Sequence, residues 1–292
     1  MNLFALLIGL GPLLGWGFYP TVAAKIGGKP TNQIFGSTIG TLIFAILFNL
    51  ITKTPVPSGL QLILSLLSGC GWAFGQIMTF KAFKFVGSSR VMPITTAFQL
   101  IATTLWGVFA LGNWPGLFNK VLGILALVIT IIGAAMTAWQ EHRTSANRDD
   151  LKTATGLLLI GVVGYWIYSA APQAAHISGQ HAFLPQAAGM VILSIIYCLA
   201  RNRKDHIFTQ AVSYRQIISG FFFAFAALTY LISAQSNMNG LATGFVLSQT
   251  SVILATFSSI WFLHETKTRK ETIVTMIGLL LIVGAATVTV LI

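Results

Sequence analysis

The sequence predicts an all-α integral membrane protein of ten transmembrane helices, arranged as two inverted five-helix repeats. Three observations carry that prediction. Charged residues make up 8% of the 292 positions, against about a quarter in ordinary soluble domains, so water is not the main solvent. Apolar windows of roughly 17 to 22 residues, long enough to cross about 30 Å of hydrocarbon, recur ten times along the chain. Lys and Arg then gather in alternate gaps between those windows.

The windows fall at 3–19, 32–51, 60–80, 91–112, 118–138, 154–171, 183–200, 214–235, 241–263 and 272–291. A backbone in lipid must satisfy its own hydrogen bonds, and the alternating pattern of a barrel strand is missing, so each window reads as a helix. The first gap holds Lys25 and Lys29, the third Lys81, Lys84 and Arg90, and the fifth Arg143, Arg148 and Lys152. The seventh holds Arg201, Arg203, Lys204 and Arg215, the ninth Lys267, Arg269 and Lys270, and the remaining gaps only Lys53 and Lys120. Such an excess marks the cytoplasmic side. The expectation is a multi-pass cell-membrane protein with both termini extracellular. The first window has neither a basic n-region nor a small-residue cleavage site and reads as a permanent helix rather than a signal peptide.

The most charged stretch, Gln140 to Thr153, leaves five windows on each side. Residues 1–139 therefore read as a first repeat, 140–153 as a cytoplasmic linker and 154–292 as a second repeat. An odd number of helices per half inserts the halves in opposite senses. Gly15, Trp16 and Tyr19 are echoed by Gly164, Tyr165 and Tyr168, and Gln99 by Gln249. Inverted repeats are common in secondary transporters, with the substrate site near the midplane between them.

Several classes of chemistry are excluded. Glu141, Asp149, Asp150, Asp205, Glu265 and Glu271 all fall in loops or at span ends, so no intramembrane carboxylate is expected to carry a cation or proton. No phosphate-binding loop, metal-ligand cluster or nucleophile–base pair is present, so neither an enzyme nor a cofactor is expected. Cys70 and Cys198 form no spacing motif. The net charge of +11 is scattered over five short loops, where orientation explains it without a nucleic-acid partner. His142, His176, His181, His206 and His264 lie in gaps or at span ends, with His264 and His181 the candidates for a coupled proton.

What the spans do contain is neutral. Candidate substrate-binding residues are Trp16 in span one, Asn32 and Gln33 at the start of span two, and Trp72 and Gln76 in span three. Thr95 and Gln99 follow in span four, Tyr165 in span six, Gln186 in span seven, Tyr230 in span eight, and Ser248 and Gln249 in span nine. Amides donate and accept at once, which suits the vicinal hydroxyls of a sugar, and an aromatic face suits its C–H face; a charged substrate calls for buried charge. The plainer reading of each Ser, Thr and Gln is interhelical hydrogen bonding worth about 1 kcal/mol, and of Trp114 and Trp139 an interfacial belt. Pro12 and Pro93 read either as ordinary kinks or as helix breaks around the site.

Some of these segments carry a family resemblance. Gly27-Gly-Lys-Pro-Thr-Asn-Gln-Ile-Phe-Gly-Ser-Thr38 and Ser68-Gly-Cys-Gly-Trp-Ala-Phe-Gly-Gln76 resemble signatures of the bacterial glucose/ribose porter family, a branch of the drug/metabolite transporter superfamily. Arg90-Val-Met-Pro-Ile-Thr-Thr-Ala-Phe-Gln99 and Gly240-Leu-Ala-Thr-Gly-Phe-Val-Leu-Ser-Gln249 look like its paired fourth and ninth helices. The likeness spans nearly the whole chain and is stronger to ribose-type than to glucose-type members. Leu263-His-Glu265 departs from the Leu-Gly-Glu of glucose-type members, so no role carries over to that turn. The resemblance implies the drug/metabolite transporter fold and import of a monosaccharide, ribose ahead of glucose, with protons. A drug or amino-acid exporter of the same superfamily and a non-transporting scaffold remain as alternatives.

Overall fold

A computed structural model of the chain describes residues 3–110, 114, 116–142, 145–233, 238–239, 244 and 247–292, apart from the side chains of 145–146 and 202–205. The helices are α1 (Leu3–Gly9), α2 (Gly11–Ile26), α3 (Pro30–Thr52), α4 (Gly59–Val86), α5 (Ser88–Ala110) and α6 (Gly116–Thr137). There follow α7 (Ser145–Ala174), α8 (Gly179–Asp205), α9 (Ala211–Arg215), α10 (Ile217–Ser233), α11 (Ser251–Leu263) and α12 (Arg269–Leu291). Taking α1 with α2 and α9 with α10, nine helical stretches among the described residues are long and apolar enough to cross a membrane, and Leu247–Leu263 forms a shorter tenth. Gln235 and most of 240–246, at the junction of spans eight and nine, lie outside the described residues.

Local chemistry explains the boundaries. The first span breaks at Leu10, two residues before Pro12, whose ring removes a backbone donor at the start of the new helix. Pro93, by contrast, sits inside a continuous α5. Helix α7 begins at Ser145, so much of the stretch 140–153 is helical. His264 caps α11 in the left-handed region at φ 55°, a conformation glycine adopts without cost; the Leu-Gly-Glu of the glucose-type sequences fits the same turn.

Contacts between gaps show which ends lie together. Lys25 Nζ donates to Phe262 O, joining the first gap to the ninth. Asn32 donates to Gln210 and Ser213, joining the first to the seventh. Glu265 accepts from the Ser88 backbone, joining the ninth to the third, and Lys270 pairs with Glu141 at 2.7 Å, joining the ninth to the fifth. All five basic gaps therefore sit at one end of the bundle. At the other end Gln61 donates to Ala175 O, Trp114 to Thr289 O, and Asn239 to Ala5 O. Both termini thus lie opposite the basic gaps. Trp114 is buried with its indole N–H satisfied, rather than standing in an interfacial belt.

The helices interleave across the halves. Helix α4 packs mainly on α7 and α8, α3 on α10 and α8, α2 on α10 and α11, and α6 on α12. Hydrocarbon gives helices no hydrophobic reason to associate, so close backbone approach and interhelical hydrogen bonds hold them. A Cβ at Gly36 or Gly40 would strike the carbonyls of Ser213 or Ile217 on the α9–α10 side, and one at Gly69 or Gly189 would do the same between α4 and α8. Ser37 and Ser219 hydrogen-bond across the α3–α10 contact at 2.6 Å. Large apolar side chains such as Leu117, Phe118 and Ile124 on α6 and Leu280 on α12 face outward, where lipid covers them.

At the basic end Lys267 sits between α6 and α12, donating to Thr137 O at 3.0 Å and Thr275 Oγ1 at 2.8 Å. Burial, and secondarily the Arg90 guanidinium, pull its ammonium down to about 8 from the usual 10.5, while Glu271 and Glu265 work the other way. The folded protein therefore binds fewer protons here than the unfolded chain between those values, and stability rises with pH through that window.

Two outcomes are expected in detergent melts. Gly40→Leu overpacks α3 against α10 and costs about 1–3 kcal/mol, whereas Gly156→Ala and Gly284→Ala, with open space at the added methyl, are neutral or gain up to about 1 kcal/mol; equal effects at all three would refute the close approach. Wild type gains stability relative to Lys267→Gln as pH rises from about 8 to 10.5, and a constant difference would show that Lys267 is not buried as charged.

Candidate functional site

A cavity of about 200 Å3 lies inside the bundle. Its lining follows helical periodicity. Trp72, Gln76 and Thr79 form an i, i+4, i+7 stripe on α4, and Met92, Thr95, Thr96, Gln99, Leu100 and Thr103 form a longer one on α5. Trp16 and Tyr19 enter from α2, Tyr165, Tyr168 and Ser169 from α7, and Phe223 and Tyr230 from α10; Ser248, Gln249 and Ser251 complete it at the start of α11. No Asp, Glu, Lys, Arg or His is among these residues.

The wall is chemically divided. Helices α2, α4 and α10 supply aromatic surface: Trp72 lies on Phe223 at 4.2 Å between ring centroids, Tyr19 is 5.7 Å from Phe223, and Trp16 is 5.8 Å from Tyr230. Helix α5 and residues 248–251 supply hydroxyls and amides. Tyr165 donates to Gln76 Oε1 at 2.8 Å and shares a 2.9 Å hydrogen bond with Thr79. Committing the Gln76 oxygen in this way leaves its two N–H donors for a solute. Gln99 reaches Thr95 at 3.3 Å and Gln249 reaches Ser248 at 3.4 Å. Both are longer than the usual 2.7–3.2 Å or so, so a hydroxylated solute can replace them at little cost.

The structure brings Trp16, Trp72, Gln76, Thr95, Gln99, Tyr165, Tyr230, Ser248 and Gln249 to this cavity. Three other candidates lie elsewhere and hold helices together. Asn32 accepts from the Lys29 N–H at 2.7 Å and donates to Gln210 and Ser213, fixing the start of α3 against α9. Gln33 donates to Ala23 O, which Gln216 also caps, so the two amides satisfy the end of α2. Gln186 donates to Ser68 Oγ, which in turn donates to Tyr168 O, lacing α8 to α4 and α7. Met92, Leu100, Thr103, Ser169 and Phe223 join the cavity without having been singled out. The first three lie on the helical stripe of Gln99 and were reachable from it; Phe223 gave no signal among the other phenylalanines of its helix.

Fold and cavity together define a multi-pass membrane protein with a polar cavity free of Asp, Glu, Lys, Arg and His among its described lining residues. The model of the sugar transport protein family matches residues 7–292, and the chain belongs to that family. It is a transporter and not an enzyme. Relatives named "Putative ribose uptake protein RbsU" are 63% identical over 292 residues in Staphylococcus epidermidis ATCC 12228, 62% over 296 in Lactobacillus johnsonii and 61% over 292 in Staphylococcus aureus Mu50, each alignment covering 100% of both chains. One solved crystal structure, described without a function, superposes with a TM-score of 0.62 over 100% of this chain and 99% of its own at 16% identity; that likeness concerns the fold alone.

Replacing Tyr165 with Phe frees the Gln76 amide and leaves Thr79 a partner short. A loss of about 1 kcal/mol, read as a lower melting temperature in detergent, is expected; an unchanged melt would mean that the Tyr165 hydroxyl holds nothing.

Proposed function

We propose that the protein imports a monosaccharide, ribose ahead of glucose, across the cytoplasmic membrane by alternating access. The observation that carries this reading is the cavity: about 200 Å3, smaller than the roughly 300–1,000 Å3 of drug-sized sites, with aromatic surface on some helices, three amides and several hydroxyls on others, and no Asp, Glu, Lys, Arg or His among its described lining residues. A lipophilic drug would leave the amides unpaired, and an amino acid would leave its charges unpaired. The names of the relatives agree with ribose.

Two inverted five-span repeats, 1–139 and 154–292 joined through 140–153, in the drug/metabolite transporter architecture, account for the helix pairs. Shifting each pair by five spans turns α4–α7 into α10–α2, α4–α8 into α10–α3 and α5–α7 into α11–α2, all of which pack; α6–α12, α3–α8 and α5–α11 map onto themselves. The basic end then faces the cytoplasm and the termini face outside. Proton coupling follows from the family resemblance. A second reading, facilitated movement down the sugar gradient, is favoured by a cavity wall whose described residues include no Asp, Glu, Lys, Arg or His. External alkalinisation when ribose is added to energy-depleted cells marks the first reading, and its absence during uptake the second.

Labelled ribose is expected to enter vesicles containing the protein, with Gln249→Leu lowering uptake at least tenfold while still inserting into the membrane. Normal uptake by that variant removes Gln249 from the site, and no saturable sugar uptake by the wild type removes the sugar reading.

A further inference from the structure

We propose that the seam between α5 and α11 is the gate on the basic-gap side, and that a chain of buried hydroxyls clamped by Glu265 is its latch. This rests on the carrier reading above. Thr21 on α2 hydrogen-bonds Ser258 at 2.6 Å and Ser259 at 3.0 Å on α11. The Ser88 hydroxyl at the start of α5 meets Ser259 Oγ at 2.9 Å. Glu265, just beyond α11, accepts the Ser88 N–H at 2.9 Å, the Ser88 hydroxyl at 3.0 Å and the Ser89 N–H at 3.1 Å. A carboxylate at a helix N-terminus is well placed to hold it. Gly87 has φ 74°, a left-handed conformation that favours glycine, and a Cβ there would stand 2.7 Å from Glu265 Oε2.

The latch lies directly between the cavity and the basic end. Met92 of the cavity wall is four residues beyond Ser88, and Ser251 seven before Ser258, spacings of about 6 and 10 Å at 1.5 Å per residue. Thr21, Ser88, Ser258 and Ser259 are all buried, so the paired hydroxyls fill the seam at this point. Once parted, the same groups exchange one another for water, which an apolar plug cannot do.

Four other seams are braced against parting. Backbone carbonyls sit against Gly36 and Gly40 where α3 meets α9 and α10, Gly71 and Gly164 at α4–α7, Gly69 and Gly189 at α4–α8, and Gly133 and Gly278 at α6–α12. Helix α11 contains no glycine, and α5 only Gly107, at the end away from Ser88, so no glycine–carbonyl contact of this kind braces the latch end of the seam. At the positions a repeat-length away, Thr21, Ser258, Ser259 and Ser88 correspond to Ala170, Val108, Phe109 and Met238, so the hydroxyl latch is one-sided.

In a background lacking Cys70 and Cys198, the pair Ser88→Cys and Ser259→Cys sets two thiols across the seam. Oxidation is expected to cross-link them and to cut uptake of labelled ribose at least tenfold, with ribose still protecting the protein against heat and dithiothreitol restoring uptake. A pair that does not cross-link, or cross-linked protein that transports at the unlinked rate, overturns the gate. Independently, Glu265→Ala is expected to raise several-fold the rate at which impermeant maleimide added from the basic-gap side labels Ser251→Cys; an unchanged rate also overturns it. If the uncross-linked background moves no sugar, the carrier reading falls, and the maleimide rates still decide whether the seam opens.

Discussion

Hydrocarbon offers no partner to a polar group, so an amide or hydroxyl on these spans is stabilised by a partner inside the bundle. The whole architecture follows from where those groups go. Some are consumed pairwise between helices, as with Ser37 and Ser219 or Gln186 and Ser68. Others cap helix ends, as Gln33 and Gln216 do for α2. What is left over, Gln76 with a committed oxygen and Gln99 and Gln249 with long and weak contacts, faces a common space. That space is the site we propose for a solute that brings its own hydroxyls.

Glycine decides which parts of the bundle are rigid. Where carbonyls press on glycine Cα atoms, as between α3 and α10 or α4 and α8, a sideways shift meets backbone at once. These contacts cross the midpoint of the sequence, so the two halves interleave rather than stand as two separate bundles. The alternating-access motion we propose is then confined to seams held by side chains, and α5 with α11 is such a seam, lined with cavity residues at its middle and hydroxyls at its basic end.

Much of this was legible in the sequence because lipid imposes simple rules. Span length and the placement of Lys and Arg needed no tertiary information, and the contacts of Lys25, Asn32, Glu141 and Glu265 place the five basic gaps together as that placement required. The amides were harder. Asn32 and Gln76 look alike in a helical string of small and apolar residues. Only the packing shows that Asn32 faces the Lys29 N–H and Gln210, while Gln76 faces Tyr165 and open space. Trp114 was misleading for a related reason: a tryptophan near a span end suits an interface in general, but here Thr289 on a neighbouring helix offers its carbonyl. The latch was invisible because its members are far apart in sequence, and single Ser and Thr residues in helices carry no pattern.

The central claim is that the interior site is matched to an uncharged polyol. Trp16 and Trp72 lie on its wall, so their fluorescence reports occupancy in the purified protein. Titration with neutral monosaccharides is predicted to give a saturable change, absent with ribose 5-phosphate or amino acids. A saturable response to the charged solutes with none to any sugar would contradict the account.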